Sequence, residues 1–248
     1  KDKSWQANTI KASRAIREKA RAVRKPVPLL VKLALWVFAI EGFTTLAYEI
    51  IWTRILLEFS FDKSVYFYTI VILPFIFGLS FGSYLFKSRI DKIKNKFNVL
   101  AYLEVAIGLV SILLFILFSK ISPALIESRD HYSSWFSLVF KEYSLIFFLL
   151  LIPATLMGVT FPLVGKIWND HMPSLGKKIG QLGFMDTVGS ILGALVAGFL
   201  LIPFLGIYKS FVLTAFINVA IGASLILFQK KAANPSRVTT LSLVIALL

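Results

Sequence analysis

Residues 97–119 read FNVLAYLEVAIGLVSILLFILFS, and Glu104 is the one charged residue in this block of 23. At about 1.5 Å per residue, an α-helix of this length exceeds the hydrocarbon core of a bilayer, which is about 30 Å thick. The hydrocarbon core contains no water that could form hydrogen bonds with backbone N–H and C=O groups. A segment inside it therefore has to form these hydrogen bonds within its own helix. The block therefore predicts a membrane-spanning α-helix.

The remainder of the chain has the same apolar character. Hydrophobic residues make up 57% of it and charged residues 16%, and its mean hydropathy is +0.79. Soluble domains are nearer half apolar and a quarter charged. The sequence predicts an all-α, polytopic transmembrane helical bundle with six full spans and the start of a seventh. The further spans are expected at 33–59, 65–86, 144–166, 180–205 and 208–228, with the seventh beginning near Val238.

Residues 1–27 carry nine Lys or Arg and a spaced set of mostly apolar residues. The spacing predicts a basic amphipathic helix on a leaflet of anionic lipids, ahead of a bundle formed by residues 28–248. The alternative is a solvated helix whose apolar stripe packs on the protein itself. Pro26 and Pro28 end this helix. The spaced residues are Trp5, Thr9, Ala12, Ile16, Ala20 and Val23.

Basic residues fall mostly in every second gap between the apolar blocks. With the N-terminus inside, the cytoplasmic segments hold twenty Lys or Arg and the outer segments hold five. This imbalance predicts a multi-pass protein of the cell inner (cytoplasmic) membrane with a cytoplasmic N-terminus. The net charge of +14 could suggest a nucleic-acid partner. Its distribution is that of a topology signal, so we predict no nucleic-acid partner.

The sequence offers little for catalysis. It has no cysteine, and its two histidines, His131 and His171, lie in predicted loops. It contains no nucleophile with a base, no glycine-rich phosphate loop and no metal-ligand spacing, so we predict no catalytic residue, metal or cofactor. Because the chain begins at Lys1 and ends inside an apolar run at Leu248, we expect it to be part of a longer protein.

Three acidic residues fall inside predicted spans at similar depth. Measured from the inner end of its span, Glu41 lies about 12 Å deep, Glu104 about 10 Å and Asp186 about 9 Å. Ionisable groups inside a membrane are costly and are functional hypotheses by default. In one interpretation, the acids converge on a cavity for a polyamine, another cation or a proton. In the other, each acid is protonated or hydrogen-bonded to Ser, Thr, Tyr or Trp and joins helices together.

Small residues predict close packing between helices. Gly78 and Gly82 form a G-x-x-x-G pair in span two, and Gly189 and Gly193 begin a ridge of small residues in span five. Such ridges let helix backbones approach closely in lipid. On the outer side, the long loop 120–143 is rich in aromatic residues, and we expect it to form an interfacial helix lying flat on the leaflet.

Span one contains the element Tyr48-Glu49-x-x-Trp52-x-Arg54. Tyr48 and Trp52 are four residues apart and suit the aromatic belt of a membrane protein. Arg54 and Glu58 are also four apart, so they can pair near the outer interface. Glu49 lies on a different face of the helix from Arg54 and is expected to find its partner on another helix.

Two further elements complete a recognisable set. A G-x-T-F-P element runs from Gly158 to Pro162 in span four. The basic loop after span two carries Asp91 nine residues after Gly82, and it is similar to the major-facilitator loop between the second and third helices. Together with the span-one element, the Gly78–Gly82 helix and the small-residue run from Gly180 to Gly206, these motifs resemble the membrane region of the fused spermidine-synthase-like proteins. In those proteins a helical bundle precedes an aminopropyltransferase-like domain, so the resemblance implies a soluble domain C-terminal to the bundle.

The resemblance implies a membrane domain that anchors an enzyme binding decarboxylated S-adenosylmethionine and a polyamine, and that handles polyamine at the bilayer. The catalytic motifs of that family lie downstream, so none is carried over to this chain. Two alternatives stay open. One is a small-cation or polyamine transporter whose site is Glu41, Glu104 and Asp186. The other is a non-catalytic structural subunit of a larger membrane complex with protein partners.

Overall fold

The computed structural model describes residues 29–59, 65–127, 134–169 and 175–233. Within these ranges the chain is helical and has no strand, which confirms the all-α prediction. The predicted surface helix at 1–27 and the predicted seventh span lie outside the described residues. The α-helices are α1 (Leu29–Phe59), α2 (Val65–Phe86), α3 (Lys96–Glu127), α4 (Trp135–Asn169), α5 (Leu175–Val196) and α6 (Ile202–Ala233). A 3₁₀ turn at Ile90–Lys92 precedes α3, and a π-helical segment at Ala197–Leu201 joins α5 to α6.

Five helices in the described part of the chain are long and apolar enough to cross a membrane, by length and composition. The surface of the bundle is correspondingly apolar. Trp36 is 61% exposed, Phe199 72% and Phe204 80%. Exposure of large aromatic side chains is unfavourable in water, whereas contact with lipid is favourable. The five candidates are Val31–Phe59, Phe67–Phe86, Lys96–Ala124, Phe140–Asn169 and Ile179–Gln229.

The helices on either side of the predicted outer loop are longer than expected. Helix α3 continues to Glu127, and α4 already begins at Trp135. The separate interfacial helix predicted at 120–143 is therefore wrong, because the described parts of that loop extend the two flanking helices. Polar residues near the end of a span do not stop a helix whose backbone hydrogen bonds are already being propagated turn by turn.

Most of the contact between helices falls in three pairs, α1 with α5, α2 with α4, and α3 with α6. Glycine lies at the closest approach in each pair. A Cβ added at Gly82 would overlap the carbonyl group of Thr155, and one added at Gly108 would lie 2.6 Å from the carbonyl oxygen of Ala215. The predicted G-x-x-x-G pair in span two is confirmed as a packing surface, because it lets α2 contact α4 backbone to backbone.

Helices α1 and α5 run in the same direction along their shared interface. Gly189 packs on the backbone of Ala39, and Gly193, one turn further along α5, packs on the backbone of Phe43, one turn further along α1. A β-carbon at either glycine would meet α1 backbone, so the ridge of small residues predicted for this helix is confirmed as an interface.

After Gly206 the chain runs the opposite way along α1. Asn218 contacts Glu41, whereas Phe211, earlier in α6, contacts Tyr48, later in α1, at a ring-centroid distance of 5.3 Å. Gly206 has φ 77° and ψ 166°, a conformation that glycine adopts readily and other residues do not. The range given for α6 therefore contains a kink at Gly206. The apolar segment Ile179–Gln229 consists of two antiparallel helices: the first continues through the π-helical segment and residues 202–205, and the second begins after Gly206.

Candidate functional site

Two of the three predicted acids meet in the interior of the bundle. The side-chain amide of Asn218 on α6 donates to Glu41 Oε2 on α1 at 3.1 Å and to Glu104 Oε2 on α3 at 2.9 Å. The exposed fraction of Glu41 is 3%, and those of Glu104 and Asn218 are 0%. One amide group thus links carboxyl groups from two other helices.

Thr44 completes this cluster. Its hydroxyl donates to the carbonyl oxygen of Glu41 at 3.1 Å, and its oxygen lies 3.2 Å from the Asn218 amide nitrogen. An amide nitrogen carries two hydrogens, so it can serve only two of the three acceptors fully at one time. Within the described residues, Glu41 Oε1, Glu104 Oε1 and Asn218 Oδ1 are buried and have no hydrogen-bond partner.

The acid pair lacks a basic partner. Its hydrogen bonds come from the amide of Asn218, and no Lys or Arg of the described ranges forms an ion pair with Glu41 or Glu104. Burying a carboxylate without an opposite charge costs several kcal/mol, so two of them side by side need compensation. A proton held on one of them, or a bound cation, supplies it.

Asp186 lies next to this pair without bonding to it. It is partly exposed on α5, directly opposite Gly42, where an added Cβ would lie 2.8 Å from Asp186 Oδ1. The absence of a side chain at Gly42 makes room for the carboxylate. Close by, Ser190 Oγ donates to the carbonyl oxygen of Gly42 at 3.4 Å. The structure therefore brings the third predicted acid to the same region of α1.

A cavity of about 280 Å³ connects Glu41 with Asp186. It lies at the seam between the α1–α5 pair and the α2–α4 pair. Ser80 and Phe161 in its wall are exposed, so the cavity opens to the outside of the bundle. Glu104 does not line it and lies behind Glu41. The other polar residues of the wall are Thr45, Ser83, Thr160 and Ser190.

The G-x-T-F-P element forms part of this cavity. Gly158, Thr160 and Phe161 line it. The carbonyl oxygen of Gly158 accepts a hydrogen bond from Ser83 Oγ at 2.6 Å, which ties α4 to α2 at the cavity wall. Pro162 follows inside α4, which stays helical through it. This element therefore contributes to the candidate site, and its glycine also packs directly on the α2 backbone at Leu79.

The span-one element lies elsewhere. Tyr48 and Trp52 are buried inside the bundle, with exposed fractions of 0% and 1%, and the Trp52 ring packs edge-to-face against Phe211 at 5.3 Å. Side chains without an exposed surface cannot form an aromatic belt, so that prediction is wrong. Hydropathy cannot distinguish a belt position from a core position on the inner face of a helix. None of the residues of this element lines the cavity.

The charged residues of span one form no cluster with the site. Glu49 is half-buried, and its carbonyl oxygen accepts a hydrogen bond from Thr53 Oγ1 at 2.7 Å. Arg54 and Glu58 are both exposed, and the described structure contains no ion pair between them. Exposed charges gain little from pairing, which explains why four-residue spacing alone does not bring them together.

Asp91 lies at the end of the bundle where α2 ends and α3 begins. It forms an ion pair with Lys166 on α4, with a Nζ–Oδ1 distance of 2.9 Å. The hydrogen bond and the charge of Lys166 lower the pKa of Asp91 below its ordinary value of 3.8. The pair therefore connects the α2–α3 turn to α4, and neither of its residues lines the cavity.

The contribution of this ion pair to stability can be tested by comparing the melting temperatures of wild type and Asp91→Asn over a range of pH. Because the pKa of Asp91 is lower in the folded state, the contribution of the pair is complete above the ordinary value and is lost as the pH falls through the lowered one. The difference in melting temperature between wild type and D91N should therefore stay constant down to about pH 5 and vanish in stronger acid. It should be small, because Asp91 is 71% exposed. A difference that grows on acidification would contradict this assignment.

Asn218 is the site residue that the sequence-based prediction missed. It is the one Asn in the apolar block 208–228, so a search for amides as well as charges would have found it.

No group of three His, Cys, Asp or Glu in the described residues could hold a metal ion. Comparison with family models, with curated proteins and with solved structures gives no match.

Proposed function

We propose that this chain is the membrane domain of a spermidine-synthase-like protein, and that its cavity binds a polyamine or a similar small organic cation. The observation that carries the proposal is that Glu41 and Asp186, from two helices, line one cavity with no basic residue in its wall. Two carboxyl groups without a basic partner favour a ligand that carries more than one positive charge.

The walls of the cavity also suit such a ligand. Polyamines are chains of ammonium groups separated by short methylene stems. The carboxyl and hydroxyl groups can accept from the ammonium groups, while apolar side chains contact the stems, as they do for lysine. At about 280 Å³ the space is near the lower end of small-molecule sites. The apolar residues of the wall include Phe38, Leu46, Leu79, Met157 and Phe161.

The arrangement in the membrane is part of the proposal. The candidate Ile179–Gln229 has 51 residues, which as one straight helix would extend more than twice the thickness of the hydrocarbon core. Its reversal at Gly206 supports two crossings, and so six in total. Among the described residues, the end of the bundle where α1 begins carries most of the Lys and Arg, which supports a cytoplasmic N-terminus in an inner membrane. They include Lys32, Lys87, Arg89, Lys92, Lys94 and Lys166.

Calorimetric titration of spermidine into the purified chain in lipid nanodiscs tests the proposal. Glu41→Gln and Asp186→Asn should each weaken binding at least about tenfold, because each removes a charge-assisted hydrogen bond. Glu58→Gln is the matched control, since it neutralises an exposed carboxylate on the same helix as Glu41. Binding that is absent in the wild type, or equal in all the variants, would contradict the proposal.

A structural role is the second candidate for the Glu41–Glu104 pair. It is favoured by the hydrogen bonds from Asn218, which join α1, α3 and α6 at one point. If the pair serves only to join these helices, Glu41→Gln should lower the melting temperature and leave spermidine affinity unchanged. The titration and a melting curve on the same samples separate the two roles.

A further inference from the structure

The Glu41 carboxyl group belongs to two sites at once. It lines the cavity together with Asp186, and it shares the Asn218 amide with Glu104 behind the cavity. Its Oε2 accepts from Asn218, while its Oε1 is buried with no hydrogen-bond partner in the described structure. A change in the charge of Glu41 therefore directly changes the electrostatic environment of Glu104.

The groups that face this pair leave its charge uncompensated. On α1 the titratable neighbour is Tyr48, and on α5 it is Asp186. Helix α6 contributes Asn218, which is neutral, and the polar side chains that α2 and α4 present to the cavity are Ser and Thr, which carry no charge. No cation of the described residues approaches the pair, so one proton shared by the two carboxyl groups is the compensation available from water.

We propose that binding of a cation in the cavity releases a proton from the Glu41–Glu104 pair, so that cation and proton compete for one buried negative charge. This inference rests on the proposed cation site. The exchange is balanced. The O–H bond of one carboxylic acid breaks, the proton passes to water through the cavity mouth, and the resulting carboxylate takes the ammonium group as its partner. Glu104 acts here as a positioning residue that does not touch the cation.

Competition for the same charge fixes how binding depends on pH. If one proton leaves for each cation bound, the dissociation constant for spermidine should rise about tenfold for every unit by which the pH falls, over the range in which the pair is protonated. By linkage, the cation should make the pair more acidic to the same extent. A site that holds its cation with an already ionised pair would show no such slope.

The test is titration of spermidine into the wild-type chain in nanodiscs, in two buffers of equal pH and different ionisation enthalpy. We expect up to one proton released per spermidine bound, and Glu104→Gln should bind spermidine with less than half of that release. Binding with no proton release at any pH overturns the coupling and leaves the cation site intact. No binding at all overturns both. Proton release by the wild type tests the coupling even if E104Q does not fold. E58Q, which changes an exposed carboxylate outside the cavity, is the control and should release as many protons as the wild type.

Discussion

Replacing Gly189 by alanine is expected to destabilise the bundle by about 1–3 kcal/mol, the usual range for adding a methyl group where no space exists. The new β-carbon would overlap the carbonyl oxygen of Ala39, which is backbone and cannot rotate aside. Relief requires α1 and α5 to separate along the whole interface, including the contact of Gly193 with Phe43. Thermal unfolding of the purified protein in nanodiscs measures the loss.

Gly183→Ala is the matched control for this change. It is the same substitution in the same helix, but an added Cβ at Gly183 meets nothing within 4 Å. Because alanine is the better helix former, this variant should be neutral or more stable by up to about 1 kcal/mol. Equal effects of the two substitutions would show that the α1–α5 contact is not as close as described.

Replacing Asn218 by leucine is expected to cost about 3 kcal/mol or more, since it removes the donor that two buried carboxyl groups share. The substitution keeps the size of the side chain, so lost packing contributes little. Glu41 and Glu104 would then face each other with no hydrogen-bond donor from α6. The melting temperature of the purified chain should fall accordingly.

A thermodynamic cycle isolates this effect from general damage to α6. In a background where Glu41 and Glu104 are both leucine, Asn218→Leu should cost much less, because no carboxyl group is left without a donor. Ser224→Leu serves as the control, since Ser224 lies on the same helix beside an apolar groove. A loss for N218L that is the same in both backgrounds would rule out the hydrogen-bonded cluster.

The positions of the helices could largely be predicted from the sequence, whereas their ends could not. Apolar blocks indicate helices because hydrocarbon enforces internal hydrogen bonding. Past the hydrocarbon, water satisfies a peptide group as well as a helix does, so hydropathy carries no signal for the extension of α3 to Glu127 or of α4 back to Trp135. These ends depend on local propensity and on packing.

The candidate site was predictable in part. Depth along a span follows from sequence, and the three acids predicted to lie at similar depth are close together in the structure. Glu41 and Glu104 share the Asn218 amide, and Asp186 lines the cavity with Glu41. Which way each helix turns a residue depends on tertiary packing, so sequence could not show that Glu104 lies behind Glu41 while Asp186 lies beside the cavity. Asn218 was missed because the apolar blocks were searched for charged residues, and its amide is uncharged.

The reversal at Gly206 has a consequence for how the protein is made. Helices α5 and α6 have no hydrophilic connector between them, and the turn presents Phe204, 80% exposed, and Tyr208, 65% exposed. In the six-crossing arrangement, such a corner sits in the headgroup region with Lys209 beside it. In that arrangement no hydrophilic segment separates the two helices, so the hairpin would leave a translocon and enter the bilayer as one unit.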